Sequence, residues 1–145
     1  MKVAFFLVPK NEVVFLTPKT SMRQALERME HHSYSAVPLV DDQGCYAGTV
    51  TEGDLLWKLK NTEGLDISGM EKIMVQDIAC HVKNKPVRID SRIVDLLSVA
   101  SEQNFVPVVD DQGVFIGIVR RREIIEYCAE LIREKESMSS RTEGG

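Results

Sequence analysis

The sequence has few of the residues that mark exported or membrane proteins. Three cysteines occur among 145 residues. Their number is odd and they lack C-x-x-C spacing, so we expect reduced thiols rather than disulfides or a zinc site. The apolar start, VAFFLVP, is far shorter than the roughly 20 residues that cross a bilayer and lacks the arrangement of a signal peptide. These absences predict a cytoplasmic protein that does not associate with membranes.

The residue patterns of common enzymes are missing as well. No Walker loop or G-x-G-x-x-G is present, and no cysteine accompanies a base that would activate it. His31 and His32 are adjacent, so on a helix they diverge, and with His81 they make no metal constellation. No pair of acidic residues is spaced for hydrolysis. We therefore expect no enzyme activity, no metal and no cofactor.

The charge balance makes one basic cluster conspicuous. A net charge of −4 argues against general nucleic-acid binding. Against that acidic background, Arg120, Arg121 and Arg122 stand together where an apolar run gives way to a helical pattern. A helix start is already positive and favours acidic residues. Three cations at this place therefore require an explanation.

The chain contains an internal repeat. Residues 37–56 read VPLVDDQGCYAGTVTEGDLL, and residues 106–125 read VPVVDDQGVFIGIVRRREII. Nine of twenty positions are identical, including the whole DDQG. In each copy two apolar strands flank an Asp/Gly turn and a helix follows, which is a hairpin signal.

The repeat extends upstream and divides the chain in two. Each half is predicted to begin with a short apolar lead-in, at residues 3–9 or 71–78. It then runs through β, α, β, β and α, with the first strand at 13–17 or 87–89. We assign residues 1–62 to the first repeat, 63–69 to a linker, 70–135 to the second repeat and 136–145 to a disordered tail. Neither half could bury enough surface alone. Packing about a pseudo-twofold axis would create two clefts between the halves.

The repeated landmarks A-V-P-L-V-D-D-Q-G and Y-A-G-T-V-T-x-x-D-L-L resemble a cystathionine-β-synthase (CBS) domain. The tandem copy resembles a CBS pair, or Bateman module, over nearly the whole chain. The resemblance implies an α/β (α+β) fold of two β-α-β-β-α repeats. It also implies a regulatory module of the stand-alone type that dimerises and binds an adenosine-containing ligand such as AMP, ADP, ATP, S-adenosylmethionine or cyclic di-AMP.

The resemblance also implies which residues line each cleft, since in the family one half supplies a base pocket and the other a helix start. The first cleft would combine Val13, Val14, Tyr34, Ser35, Ala36 and Pro38 with Arg120, Arg121, Arg122 and Glu123. The second would combine Val87, Arg88, Asn104, Phe105, Val106 and Pro107 with Thr51 and Asp54.

Two chemical interpretations remain open at each helix start. Thr51 and Asp54 fit a ribose-binding T-x-x-D motif, and they equally fit a helix cap. In the second repeat Arg120 and Glu123 replace them. The arginines could be solvated, with their stems covering apolar surface. They could also bind phosphate together with the helix N–H groups, which we favour.

Together these features predict a homodimeric sensor that signals to a partner protein. Tyr34 offers a ring on which a base can stack, and Ser35 offers a hydroxyl. We expect cyclic di-AMP as the ligand, with AMP or ATP as the alternative. A different class remains open, a structural or interaction module that binds no small molecule and whose arginines meet an acidic protein. Trp57 is expected in the core or at a dimer interface.

Overall fold

Two β-hairpins, one from each repeat, form the centre of the fold. The computed structural model describes residues 2–143. The strands of the first hairpin are β2 (Ala36–Val40) and β3 (Tyr46–Thr51), and those of the second are β5 (Phe105–Val109) and β6 (Phe115–Arg120). Both are antiparallel and share one register, with Val37 opposite Val50 and Val106 opposite Val119. The predicted hairpins are confirmed.

The repeated DDQG sequence builds the same turn twice. Asp41 Oδ1 accepts from the backbone N–H of Gln43 at 2.9 Å and of Cys45 at 2.8 Å. Asp110 makes the equivalent bonds, both at 2.9 Å, in the second copy. Gly44 and Gly113 close the turns with φ of +82° each, a conformation that glycine adopts without penalty.

Helices follow and precede the hairpins in the predicted order. They are α1 (Met22–His32), α2 (Glu52–Asn61), α3 (Ile67–Met70), α4 (Ile93–Ala100) and α5 (Arg121–Glu143). The start of α1 is fixed by a capping box in which Ser21 and Gln24 exchange hydrogen bonds of 3.1 Å. The mixed α and β composition confirms the expected fold class.

The tail is the first point at which the structure differs from expectation. The sequence predicts disorder over residues 136–145, because the segment is polar and rich in Gly and Ser; residues 144 and 145 lie outside the described residues. Instead α5 continues without interruption to Glu143. The polar composition was a poor guide because the helix is already nucleated upstream, and each further residue adds a backbone hydrogen bond without a new nucleation cost.

Each hairpin is flanked by two segments from outside it, and at the second hairpin these segments form regular strands. β1 (Val8–Pro9) and β4 (Val87–Arg88) complete a four-stranded sheet in the order β1-β6-β5-β4. Around β2 and β3 the equivalent places are taken by single bridges, Leu16 to Leu39 and Thr49 to Val82. The strand predicted at 13–17 is therefore reduced to one bridge.

The two lead-ins pack on the opposite repeat, which the sequence-based division did not anticipate. Val3 and Phe6 are buried in the core of the second repeat, and β1 pairs with β6. Conversely Met70, Val75 and Ile78 are buried in the core of the first repeat. The lead-in at residues 3–9 thus packs against the second repeat, because long-range strand pairing decides where it lies.

A third apolar cluster joins the two repeats. Val40, Phe105, Phe115 and Ile118 form its buried part, and the ring of Phe15 lies 6.4 Å from that of Phe115. The hairpins also meet at their turns, where the N–H of Phe115 donates to the carbonyl of Gly44 at 2.8 Å. These contacts fix the distance between the repeats. Within residues 2–143 none of the helices combines the length and apolar character of a membrane span.

Candidate functional site

A cavity of about 230 Å³ lies between the two repeats on the side where α5 begins. We call it the arginine cavity. Its lining residues come from both repeats and from the segment after β1: Glu12, Val13, Val14, Tyr34, Ala36, Val37, Pro38, Asn104, Phe105, Ile118, Arg120, Arg121 and Arg122. Phe105 and Ile118 belong both to this lining and to the third apolar cluster, which joins the hairpins.

One wall of the arginine cavity is basic. Arg120 ends β6, and Arg121 and Arg122 open α5. Arg122 Nε donates to Glu126 at 3.0 Å, and Arg120 lies 3.9 Å from Glu123. Among the described residues no carboxylate lies within ion-pair distance of Arg121, whose guanidinium donates to the Ser101 carbonyl at 3.4 Å. Of these three arginines, Arg121 is thus the one whose charge is least neutralised within the protein.

The backbone strengthens the positive character of this wall. α5 spans 23 residues, and its first turn lies at the cavity. The N–H of Arg121 is already used, since it donates to the Asn104 carbonyl at 3.1 Å. The dipole of a long helix still favours an anion at this end. The guanidinium groups and the N-terminus of α5 therefore both favour an anion in the cavity.

The opposite wall is apolar and carries one aromatic ring. Tyr34 is 38% exposed and lines the arginine cavity. The ring of His32 is stacked on it at 5.3 Å with an interplanar angle of 13°. His32 therefore supports the tyrosine ring from outside the cavity lining. Val13, Val14 and Pro38 complete a surface suited to a flat, apolar group.

Glu12 adds an acceptor to the same cavity. It lies in the 3-10 turn Lys10–Glu12 that follows β1. A carboxylate beside three arginines would be repelled by a purely anionic ligand, but it accepts hydrogen bonds from amino or hydroxyl groups. The arrangement therefore suits a ligand with an anionic part, a flat ring and a hydrogen-bond donor.

The structure brings together most of the residues predicted for the first cleft. Eight of them line the arginine cavity: Val13, Val14, Tyr34, Ala36, Pro38, Arg120, Arg121 and Arg122. The other two are not among its lining residues. The carbonyl of Ser35 accepts from the N–H of Glu52 at 3.0 Å, and Glu123 faces Arg120.

At the second predicted cleft, Thr51 and Asp54 form the cap of α2. Thr51 Oγ1 accepts from the N–H of Asp54 at 3.2 Å, and Asp54 Oδ2 accepts from the N–H of Thr51 at 2.9 Å. Asp54 Oδ1 meets the backbone N–H of His81 at 3.1 Å and its Nδ1 at 2.7 Å. Asp54 is 2% exposed. The chain itself therefore uses the acceptors that a ribose would need.

The titration of this cluster follows from burial and hydrogen bonding. Burial by itself would raise the pKa of Asp54, but hydrogen bonds from His81 and Thr51 outweigh it and lower the pKa below its ordinary value. Burial raises the pKa of the Cys80 thiol, and the nearby charge of Asp54 raises it further. Asp54 is therefore held as a carboxylate, and Cys80 is held as a thiol.

The other residues predicted for the second cleft do not assemble there. Asn104 and Phe105 line the arginine cavity instead. Val87 and Val106 are buried in the core of the second repeat. Arg88 pairs with Asp90 at 3.2 Å, and Pro107 is buried opposite Ile118 in the sheet. These side chains therefore do not gather around Thr51 and Asp54 in the chain alone, and the second cleft stays a prediction.

Sequence reasoning missed Glu12, Val37 and Ile118 as lining residues of the arginine cavity. Glu12 is placed by the pairing of β1 with β6, a contact between residues more than a hundred positions apart. No local pattern in the sequence signals such a pairing. Val37 and Ile118 belong to predicted strands, and the V-P landmark next to Tyr34 could have indicated Val37.

Comparison with known proteins gives two matches to one family. A family model described as the CBS domain matches residues 7–61 and again residues 72–130. CBSX2, a chloroplastic CBS domain-containing protein of Arabidopsis thaliana, is 26% identical over 93% of this chain. A homoserine O-acetyltransferase of Methanococcoides burtonii is 25% identical over 81% of it. The chain spans 66% of the length of the first relative and 22% of the second.

Solved structures share the fold. CBSX2 in complex with AMP superposes with a TM-score of 0.68 at 26% identity, covering 90% of this chain and 97% of the other. CbpB in complex with c-di-AMP superposes with a TM-score of 0.82 at 18% identity, covering 95% and 91%.

Proposed function

This chain belongs to the CBS domain family, and we propose that it is a regulatory module that binds an adenine nucleotide in the arginine cavity. The proposal rests on one observation: an aromatic wall and a basic wall belong to the same cavity. The ring of Tyr34 and the side chains of Arg121 and Arg122 line one cavity. A nucleotide joins a flat base to an anion, so it can use both walls at once.

The base would stack on Tyr34, an interaction worth about 1–3 kcal/mol per base in other proteins. Glu12 would accept from an amino or hydroxyl group of the ligand. The phosphate would lie at the start of α5 against Arg121. CBSX2 has been solved with AMP, which supports a nucleotide with adenine as its base.

Cyclic di-AMP is the ligand we place first, with AMP and ATP as alternatives. The cavity of about 230 Å³ is smaller than the 300–1,000 Å³ common for ligand sites. It would enclose one nucleoside, and the rest of a larger ligand would lie over the start of α5. Arg122 is 86% exposed there and could meet a second phosphate. AMP would leave Arg122 without that role.

We further propose that the protein acts as a homodimer and signals to a separate protein. Exposed apolar side chains lie on α2, where Leu56 is 58% and Leu59 is 39% exposed, and Ile125 on α5 is 57% exposed. Burial of such side chains against a second copy is favourable. Trp57, 48% exposed on α2, is not a core residue in the chain alone and would belong to this surface.

The proposal is tested by isothermal titration calorimetry of the full chain with cyclic di-AMP, AMP and ATP, and with cyclic di-GMP as a control for the base. We expect a 1:1 complex with an adenine nucleotide, and Arg121→Ala to weaken it. Arg133→Ala is the matched control, since Arg133 lies on the same helix outside the cavity lining.

Two results would contradict the proposal. The first is the absence of heat with every adenine nucleotide, which would favour the ligand-free interaction module. The second is an equal loss of affinity in Arg121→Ala and Arg133→Ala, which would mean that the arginine cavity is not the site.

A further inference from the structure

Residues 80–85 form a segment that we call the strap, which runs from the start of α2 to the wall of the arginine cavity. In its middle, the carbonyl of Val82 accepts from the N–H of Thr49 at 3.2 Å, so the strap lies along the edge of β3. Both of its ends are held by side chains rather than by regular sheet pairing.

At the first end, His81 holds the cap of α2. Its backbone N–H and its Nδ1 both meet Oδ1 of Asp54, whose other oxygen closes the capping box with Thr51. The side chain of His81 is 64% exposed, whereas that of Asp54 is 1% exposed. An exposed ring thus reaches a buried carboxylate on which the first turn of α2 depends.

At the second end, the strap is bonded to the residues next to the cavity. The buried side chain of Asn84 donates to the carbonyl of Phe105 at 3.4 Å. Gln103 accepts from the N–H of Lys85 at 2.7 Å, and its amide donates to the carbonyls of Lys85 at 3.2 Å and Phe105 at 3.3 Å. Phe105 is itself a lining residue of the arginine cavity.

The cavity wall is in turn bonded to Arg121, which, unlike Arg120 and Arg122, has no carboxylate within ion-pair distance among the described residues. Arg121 donates from its backbone to Asn104 at 3.1 Å and from its guanidinium to Ser101 at 3.4 Å. An anion in the cavity would compete with the Ser101 carbonyl for that guanidinium. The turn at 101–104 would then lose one of the contacts that positions Gln103 against the strap.

We propose that the strap transmits occupancy of the arginine cavity to the start of α2, with His81 as the positioning residue that passes the change to Asp54. This inference rests on the proposed function, because an anionic ligand must first enter the cavity. The contacts form one continuous series from Arg121 to Asp54. The exposed apolar side chains of α2 then become the surface that responds to ligand.

Coupling of this kind requires that the ligand favour one arrangement of the strap over another. The chain carries a reporter at the required place. Trp57 is the only tryptophan, and it lines a surface pocket together with Asp54 and His81. Its fluorescence therefore reports on the cap of α2 rather than on the arginine cavity, which it does not line.

The experiment titrates the full chain with cyclic di-AMP, AMP and ATP in turn, and records Trp57 emission and calorimetric binding on the same samples. We expect ligand to change the emission of the wild type. His81→Ala should still bind but lose most of that change. His81→Asn should recover it, because an amide N–H replaces the imidazole donor. Lys83→Ala, an exposed position in the same strap, should behave as the wild type.

The outcomes separate the two proposals. If the wild type binds ligand and its emission does not change, or if His81→Ala changes as the wild type does, the strap proposal is wrong and nucleotide binding stands. If cyclic di-AMP, AMP and ATP all fail to bind to the wild type, nucleotide binding is refuted, and the strap proposal is refuted with it because there is no occupancy to transmit.

Discussion

The ring of His32 lies parallel to the ring of Tyr34, 5.3 Å away and inclined by 13°. The pair joins the end of α1 to the cavity wall, because Ser33 between them adopts a left-handed conformation with φ of 56°. The tyrosine ring is therefore packed against the histidine ring at the end of α1 while it also lines the arginine cavity.

Tyr34→Ala should weaken nucleotide binding by about 1–3 kcal/mol, roughly 5- to 150-fold in Kd, because the stacking platform is lost. Tyr34→Phe should bind nearly as well as the wild type, since the ring remains. His32→Ala should cause a smaller loss than Tyr34→Ala. Calorimetry with AMP measures all three. Equal affinity in Tyr34→Ala and the wild type would exclude stacking on this ring.

Nucleotide affinity should fall as salt is raised, because the cations of the site are reached by solvent. The side chains of Arg120 and Arg122 are 49% and 86% exposed, and exposed charges are screened within about 10 Å at 0.1 M salt. Arg122→Ala should give a shallower dependence of Kd on NaCl concentration than the wild type. Parallel dependences in the two proteins would show that Arg122 does not meet a phosphate.

Asp54 should make folding stability depend on pH in the acid range. The pKa of Asp54 is lowered in the folded protein, so the folded state binds fewer protons than the unfolded chain, whose Asp pKa is about 3.9. The stabilisation is then fully present above that value and is lost as pH falls through the lowered pKa. Urea unfolding of the wild type and Asp54→Asn at several pH values measures it.

The difference between those two proteins should be about 1.5–3 kcal/mol near neutral pH, the range for hydrogen bonds to a charged group. It should shrink below about pH 4. The other carboxylates are common to both proteins and cancel in the comparison. A difference that stays constant down to about pH 2 would mean that the Asp54 charge does not stabilise the fold.

Gly117→Ala should disrupt the pairing of β1 with β6, which holds the first lead-in against the second repeat. A Cβ at Gly117 would overlap the carbonyl oxygen of Val8 and lie 2.8 Å from the side chain of Leu7. Backbone atoms move aside less easily than the end of a side chain. We therefore expect the free energy of unfolding to fall by about 1–3 kcal/mol. Nucleotide binding should weaken too, because Glu12 and Val13 follow β1.

Gly53→Ala is the matched control for that substitution. Its Cβ would meet its nearest neighbour, Oγ1 of Thr51, at 3.6 Å, an ordinary contact, and alanine favours a helix. The midpoints of urea unfolding of the two variants measure the difference in stability. If Gly117→Ala is as stable as Gly53→Ala, the pairing of β1 with β6 is not required for folding.

Local sequence was sufficient for the features that depend on near neighbours. The identical DDQG segments predicted two identical turns, and the side chains of Asp41 and Asp110 close them through backbone groups two to four residues away. Thr51 and Asp54 predicted a helix start for the same reason, since both partners of the capping box lie three residues apart. Eight of the ten residues that the resemblance implied for the first cleft line the arginine cavity.

Only the tertiary structure decided which segments lie beside these elements. Asp54 was predicted as a ribose ligand, and the structure pairs it with His81, 27 residues away. Val8 lies beside Ile118 and so brings Glu12 into the arginine cavity. Such contacts depend on the competition among distant strands and apolar faces for one core. That competition is settled by total burial and pairing rather than by any local pattern.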